Sequence, residues 1–301
     1  MQNRRSFIKN VGLTTMSLTA FSQFAEAFSL GEKEYFEISL AQWSLHKSLF
    51  GGKLSNLDFP AKAKNEYGID IVEYVSVFFQ KKETNQAYLK ELKLRCKDLG
   101  VRNHPIMVDG EGDLGDTNVK GRQEAVEKHY KWIEAAKYLG CSTVRVNASG
   151  RGTKQEVADA AVDGLSQLSS FAKDRKINVI VENHGGYSSD GKWLADVMSK
   201  VNMSNCGTLP DFGNFRISES EVYDMYQGVS DLLPFAKGIS AKTFNFDANG
   251  DETKIDYYRM FDLIKKSGWK GIVGIEYEGD KYSESEGIML TKKLLQKVRK
   301  A

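Results

Sequence analysis

The chain has 301 residues, 41% hydrophobic and 27% charged, a composition that supports a substantial core in one large soluble domain or two modest ones. Of its 42 basic and 40 acidic residues, Arg4, Arg5, Lys9 and Glu26 fall in the first 27 positions, which leaves 39 of each sign in the body. A neutral body argues against a nucleic-acid footprint and against a basic membrane patch, and three scattered cysteines, Cys96, Cys141 and Cys206, fit core thiols better than a disulfide scaffold or a thiolate zinc site.

The first segment, NRRSFIKNVGLTTMSLTAFSQFAEAF, sets an arginine pair before a weakly apolar stretch and a small-x-small Ala25-Glu26-Ala27. It resembles a twin-arginine export signal, so residues 1–27 are expected to be removed and the mature protein, residues 28–301, to reach the periplasm as a single domain. The alternative is an amphipathic first helix. Gly12, Thr14, Thr15, Ser17 and Thr19 dilute the stretch below what a spanning helix of about 20 apolar residues needs, so no membrane insertion is expected once the signal is gone.

Beyond it a junction recurs in NEYGIDIVEYV, KDLGVRNHPIMV, KYLGCSTVRVN and KKSGWKGIVGIEY: a helix-like segment, a glycine, then a β-branched run. Gly68, Gly100, Gly140 and Gly268 stand where a helix C-cap turns left-handed before a strand. The pattern predicts eight strands, near 36–43, 69–75, 101–108, 142–147, 177–182, 206–211, 238–243 and 272–277. Helical periodicity fills the gaps, as over Glu124–Leu139, where Val126, Tyr130, Ile133 and Ala136 form one stripe. Units of this spacing close into a (β/α)8 TIM barrel of about 250 residues. Two packed α/β domains are the alternative, and the even spacing without a linker favours the barrel.

In such a barrel the C-terminal strand ends carry the chemistry. Here they are polar: Gln42 and His46, Glu73, His104 and Asp109, Arg145 and Asn147, Glu182-Asn183-His184, Asp211, Ser240 and Lys242, and Glu276. Glu182, Asp211 and Glu276 would converge with only Arg145 and Lys242 as cations. Like charges at that density raise one another's pKa, and a divalent cation relieves them; oxygen ligands point to Mn²⁺ or Mg²⁺. The bland alternative is that each carboxylate is neutralised in its own loop.

VENHGG, LPDFGNF, SAKTFNFDANGDE and GIEYEG together resemble strands five to eight of the sugar phosphate isomerases and epimerases with a xylose-isomerase-like TIM barrel. The resemblance implies that Glu182 and Glu276 bind the metal and exchange the substrate proton, with Asp211 as a third ligand. The fourth ligand departs from the pattern. Where many members read His-x-Lys the chain reads Ser240-Ala241-Lys242, and where many read Asp-x-x-His it reads Asp211-Phe212-Gly213-Asn214. His184, two residues beyond Glu182, could serve as ligand, acid/base or substrate clamp, or be tied into its glycine loop. The DFG of residues 211–213 lacks the other kinase motifs, and VDGEGDLGD lacks calcium-loop spacing and reads as a long loop after the third strand.

The expected activity is therefore a metal-dependent isomerase or epimerase acting on a small-molecule carbohydrate through an enediolate. Glu182 and Glu276 act as acid and base with His184, and Arg145, Asn147, Lys242 and His104 bind substrate, while Trp43 forms an apolar wall against the sugar ring. Trp132, Trp193 and Trp269 are expected to pack in the core. The rivals are a keto-sugar lyase or dehydratase, an exported carbohydrate-binding protein with a decayed site, and a nuclease of the endonuclease IV branch, which the neutral body disfavours. Assembly into a homo-oligomer is left open.

Overall fold

The computed structural model describes residues 34–300; the export signal expected over residues 1–27 lies outside them. Eight parallel strands alternate with helices: β1 (Phe36–Ala41), β2 (Ile71–Val75), β3 (Arg102–Met107), β4 (Thr143–Val146), β5 (Asn178–Glu182), β6 (Cys206–Leu209), β7 (Ile239–Thr243) and β8 (Gly271–Tyr277). The main helices between and after them are α1 (Phe59–Tyr67), α2 (Gln86–Leu99), α3 (Val119–Leu139), α4 (Lys154–Lys173), α5 (Gly191–Val201), α6 (Met225–Leu232), α7 (Tyr257–Lys266) and α8 (Glu284–Lys300). Each strand begins and ends within two residues of its sequence-based expectation. Gly68, Gly100 and Gly140 cap α1, α2 and α3 in the left-handed region with φ of 60°, 65° and 82°, a conformation that costs a Cβ-bearing residue. Gly268 lies one residue beyond the Ser267 cap of α7, also at positive φ.

The strands pair in the order β6-β5-β4-β3-β2-β1-β8-β7. β6 stops short at Leu209 because Pro210 has no N–H to continue a ladder. The seam to β7 is closed by two single bridges, Thr208 with Ala236 and Asp211 with Ser240. Ser240 N donates to Pro210 O at 2.9 Å and Phe212 N to Ser240 O at 3.2 Å. Asp211, the residue after the proline, is thereby fixed beside the seventh strand rather than left in a loop.

Strand alternation sorts the side chains into two layers. Outward residues such as Leu40, Val72, Ile106, Val144, Val181, Ile239 and Ile275 join Trp132, Ile133, Leu165 and Leu295 of the helices in one continuous core. Packing of this kind, more than helix propensity, stabilises the helices. A second, smaller cluster fills the barrel: Ala41, Val75, Met107, Ile180 and Leu209, with Trp43 and Phe78 against it. Cys96, Cys141 and Cys206 are free thiols, buried as expected. Among the described residues no helix is long and apolar enough to cross a membrane.

One interior position is not apolar. Glu73 on β2 is 2% exposed and accepts a hydrogen bond from Ser39 Oγ, while its Oε2 has no partner. Gly274 of β8 makes room for it, since a Cβ there would stand 2.7 Å from the carboxylate. Burial, opposed only in part by Ser39 and reinforced by the charges of Glu276 and Glu182, pushes the Glu73 carboxyl from the ordinary 4.5 up to about 8. The folded chain thus holds a proton that the unfolded chain releases. Stability from this group is complete below the unfolded pKa and is lost as pH rises through about 8, with a slope approaching 1.4 kcal/mol per pH unit (about tenfold in the equilibrium) between the two values. Urea midpoints from pH 5 to about 8.5 are expected to fall more steeply for the wild type than for Glu73→Gln; a gap between the two that stays constant with pH would show Glu73 to be ionised in the fold.

Candidate active site

Residues from five strand ends meet at the C-terminal mouth. β5 ends at Glu182, the Pro210 break delivers Asp211, and β8 carries Glu276; one oxygen from each lies within 4.8 Å of the others. All three are buried, at 1%, 0% and 5% exposure. β4 contributes Arg145 and β7 contributes Lys242, in register with Glu276 across the ladder.

The two cations divide the acids between them. Arg145 Nε stands 2.6 Å from Glu182 Oε2 and its Nη1 2.7 Å from Asp109 Oδ1. The first pair is close but misaligned, so neither Arg145 Nε nor Glu182 Oε2 has a formed hydrogen bond. Lys242 Nζ lies 3.1 Å from Glu276 Oε1, 3.4 Å from Glu278 Oε2 and 3.7 Å from Asp211 Oδ2, and donates to Asn214 Oδ1 at 3.1 Å. Gly213 permits this reach, because a Cβ on it would meet the lysine stem at 2.7 Å.

Neutral side chains complete the network. Asn214 Nδ2 donates to Glu182 Oε1 at 3.0 Å, and Ser240 Oγ to Glu276 Oε2 at 3.1 Å. Asn183 clasps the Asp211 backbone from both sides, its Nδ2 donating to Asp211 O at 2.9 Å and its Oδ1 accepting from Asp211 N at 2.8 Å. Asp211 Oδ1 accepts from Gly213 N at 2.8 Å, which leaves Oδ2 buried with no hydrogen bond.

Electrostatics separates the acids. Burial pushes Glu182 up to about 7, with Glu276 adding to the rise and Arg145 opposing it. Burial also drives Asp211 well above the usual carboxylate range, and Lys242 offsets this only partly. For Glu276 the same burial is outweighed by Lys242, Arg145 and Ser240, so its pKa is lowered. Lys242 and Arg145 keep their protons despite burial because carboxylates surround them. These directions fit a site short of positive charge. An orphaned buried Asp211 oxygen, a misaligned Glu182 oxygen and three carboxylates within one ion's reach form a donor set that a divalent cation fits, with Glu182, Asp211 and Glu276 as its holders.

Other residues singled out in the sequence take different places. Asn147 Nδ2 donates to Asp109 Oδ1 at 2.8 Å and so reaches the site through Arg145's second partner. His184 is exposed at the rim; desolvation by its neighbours and then the Arg145 charge lower its pKa, which keeps the imidazole neutral. Trp43 lies beside the cluster, its Nε1 donating to Glu278 Oε1 at 2.5 Å. His104 does not join them. It sits in the first half of β3 against Ser142 Oγ at 3.2 Å, and lines a cavity of about 670 Å³ with Lys97 and Arg102 at the opposite end of the barrel. Burial and Arg102 hold it at about 4, so it is neutral there. Glu278 had no role from sequence, although its two-residue spacing from Glu276 marks the same strand face.

The comparisons agree with this architecture. A human protein whose name proposes hydroxypyruvate isomerase activity is 21% identical over 254 residues, 79% of this chain and 89% of its own length. The IOLI protein, solved with a bound zinc atom, superposes with a TM-score of 0.69 at 17% identity, covering 87% of this chain and 97% of its own. D-psicose 3-epimerase from Clostridium cellulolyticum H10, solved with D-tagatose, gives a TM-score of 0.67 at 10% identity, covering 87% and 99%. At such identities the solved structures share the fold. The sequence profile of the xylose isomerase-like TIM barrel matches residues 61–299, and the chain belongs to that family.

Proposed function

We propose that the protein is a divalent-metal-dependent isomerase or epimerase of a sugar or keto-sugar. The observation that carries this reading is the convergence of Glu182, Asp211 and Glu276 within 4.8 Å at the barrel mouth, with Arg145 and Lys242 as the cations paired to them. A bound cation, Mn²⁺ or Mg²⁺ for this oxygen-rich set, would polarise the substrate carbonyl. Glu182 and Glu276, arriving from β5 and β8, are placed to move a proton at the adjacent carbon: one takes it as the carbonyl oxygen gains charge, and the other returns one to the opposite face. Lys242 and Arg145 stabilise the charge that develops on oxygen in a site closed to bulk water. Asn147 positions Arg145 through Asp109, and His184 offers its neutral ring to a hydroxyl at the rim. Export to the periplasm, as the resemblance of the Arg4-Arg5 segment to a twin-arginine signal implies, would favour a free or oxidised sugar over a phosphorylated one.

Incubation with ketoses in deuterated water tests the reaction. The expected result is solvent deuterium at the inverted or isomerised carbon of recovered sugar, and a loss of about a hundredfold or more in that exchange for Glu182→Gln and for Glu276→Gln with folding retained. Release of water or an alcohol in place of exchange would identify elimination, and binding without turnover would identify a carbohydrate-binding role.

Metal dependence has its own readout. Dialysis against a chelator is expected to abolish exchange and to lower the thermal midpoint, with both restored by Mn²⁺ or Mg²⁺; at a free metal concentration of 100 Kd the restored stability is about 2.7 kcal/mol. Asp211→Asn should lose most of that metal-induced shift. An identical melting curve with and without metal would remove the cation from the reading.

A further inference from the structure

Beside the acid cluster the mouth carries an aromatic corner. Trp43 follows β1, Phe78 lies in the short 3-10 turn Ser76–Phe78 after β2, and Phe50 ends the helical turn His46–Phe50. The Phe50 and Phe78 rings are 4.9 Å apart, and both stand 6.1 Å from Trp43. Phe50 is 61% exposed. A single exposed apolar side chain is ordinary, but rings packed edge-on and tilted into a contiguous face mark a binding surface.

Two observations tie this face to the site. The first is continuity: Trp43 Nε1 donates to Glu278 Oε1 at 2.5 Å, Glu278 Oε2 stands 3.4 Å from Lys242 Nζ, and Lys242 Nζ 3.1 Å from Glu276 Oε1. Three consecutive contacts lead from the aromatic rings to a carboxylate proposed to move the proton. The second is that the exposed ring is held in place. Lys47 N donates to Glu284 Oε1 at 2.7 Å and Ser48 N to Glu284 Oε2 at 3.2 Å, so α8 pins the turn that carries Phe50. Lys53 N returns to Ser48 O at 2.9 Å and fixes its far end. Phe50 is held outward although burial would be favourable, which is the preorganisation a ligand subsite needs. His46 stacks on Trp43 at 5.1 Å and covers one indole face, which leaves Phe50 as the exposed ring of the corner.

We infer that Trp43, Phe78 and Phe50 form a second subsite, and that the natural substrate is a glycoside whose reacting sugar lies at the acids and whose second pyranose ring packs its apolar C–H face on this corner. A free monosaccharide held at Glu182 and Glu276 leaves Phe50 in water; a second ring covers it. The inference rests on the carbohydrate reading given above and narrows its substrate class.

Calorimetric titration of the metal-loaded full chain with D-fructose and with isomaltulose, which adds one glucosyl ring to fructose, tests it. Isomaltulose is expected to bind about five- to tenfold more tightly, the range that one aromatic contact supplies. Phe50→Ser should erase that advantage while leaving fructose affinity unchanged, and Phe50→Trp should retain it. Equal affinity of the two sugars for the wild type, or an advantage that survives Phe50→Ser, overturns the inference. So does a dimer in sedimentation that Phe50→Ser dissociates without changing sugar affinity, because the face then joins copies of the chain. Fructose binding that stays intact in any of these outcomes leaves the carbohydrate reading standing, whereas failure of both sugars to bind refutes that reading and the subsite together.

Discussion

Five carboxylates, those of Asp109, Glu182, Asp211, Glu276 and Glu278, share the barrel mouth with two buried cations, Arg145 and Lys242. Isolated charges are not tolerated in such a place, so each acid must be paired, bonded or neutralised. The arrangement answers this unevenly. Glu276 receives a lysine and a hydroxyl and stays ionised, Glu182 receives a misaligned arginine and an amide, and Asp211 keeps one oxygen without a hydrogen bond, 3.7 Å from the Lys242 ammonium. The shortage is structural, because the side chains that could relieve it are held elsewhere: His184 is kept neutral at the rim and His104 lies at the far end. A site organised around missing positive charge suits the external cation, and the negative charge on a substrate oxygen, that the proposed reaction requires.

The backbone makes this imbalance durable. Asn183 holds the Asp211 peptide from both sides, and Ser240 pairs with Asp211 across the seam where regular β6–β7 pairing has stopped. Side-chain and bridge contacts replace the ladder at the point where the chain must turn a carboxylate inward. Such substitution orients the acid independently of whatever it binds, which limits the reorganisation required when a ligand arrives. Beneath it, Glu73 keeps the barrel interior polar, and its protonated form spares the mouth a further charge.

Much of this was legible in the chain. β-branched runs preceded by capping glycines located β2, β3, β4 and β8, even spacing placed the other four, and Glu182 and Glu276 were marked by their place at strand ends. What failed is instructive. His104 belongs to a strand, but membership does not say how far along the barrel axis a residue sits, and it falls where the β2–β3 register shifts between Val72 and Tyr74. Glu278 was passed over because it lies beyond the regular strand, although it links Trp43 to Lys242. The protonation of Glu73 depends on three-dimensional burial and on Gly274 two strands away, which no local pattern carries. Nothing local in the sequence sets Phe50 apart, since the contact that holds its turn comes from Glu284, more than 230 positions later.

Ser240 and Asn214 occupy the two positions where the family pattern reads histidine, and their hydrogen bonds show what that change does. A neutral histidine would present a lone pair to a cation. Ser240 instead donates its proton to Glu276 and Asn214 donates to Glu182, so both residues draw density from oxygens that would hold the ion. At the same time Asn214 Oδ1 accepts from Lys242, steadying the ammonium among the acids. Fewer ligands and weaker carboxylates lower affinity for any ion that needs soft or nitrogen donors, whereas a hard ion that retains part of its water shell loses least. On the proposed reading, a preference for Mg²⁺ or Mn²⁺ over zinc would thus follow from two side chains that are not among the three acids that would hold the ion. Their directed hydrogen bonds set the basicity of the carboxylates that would hold it.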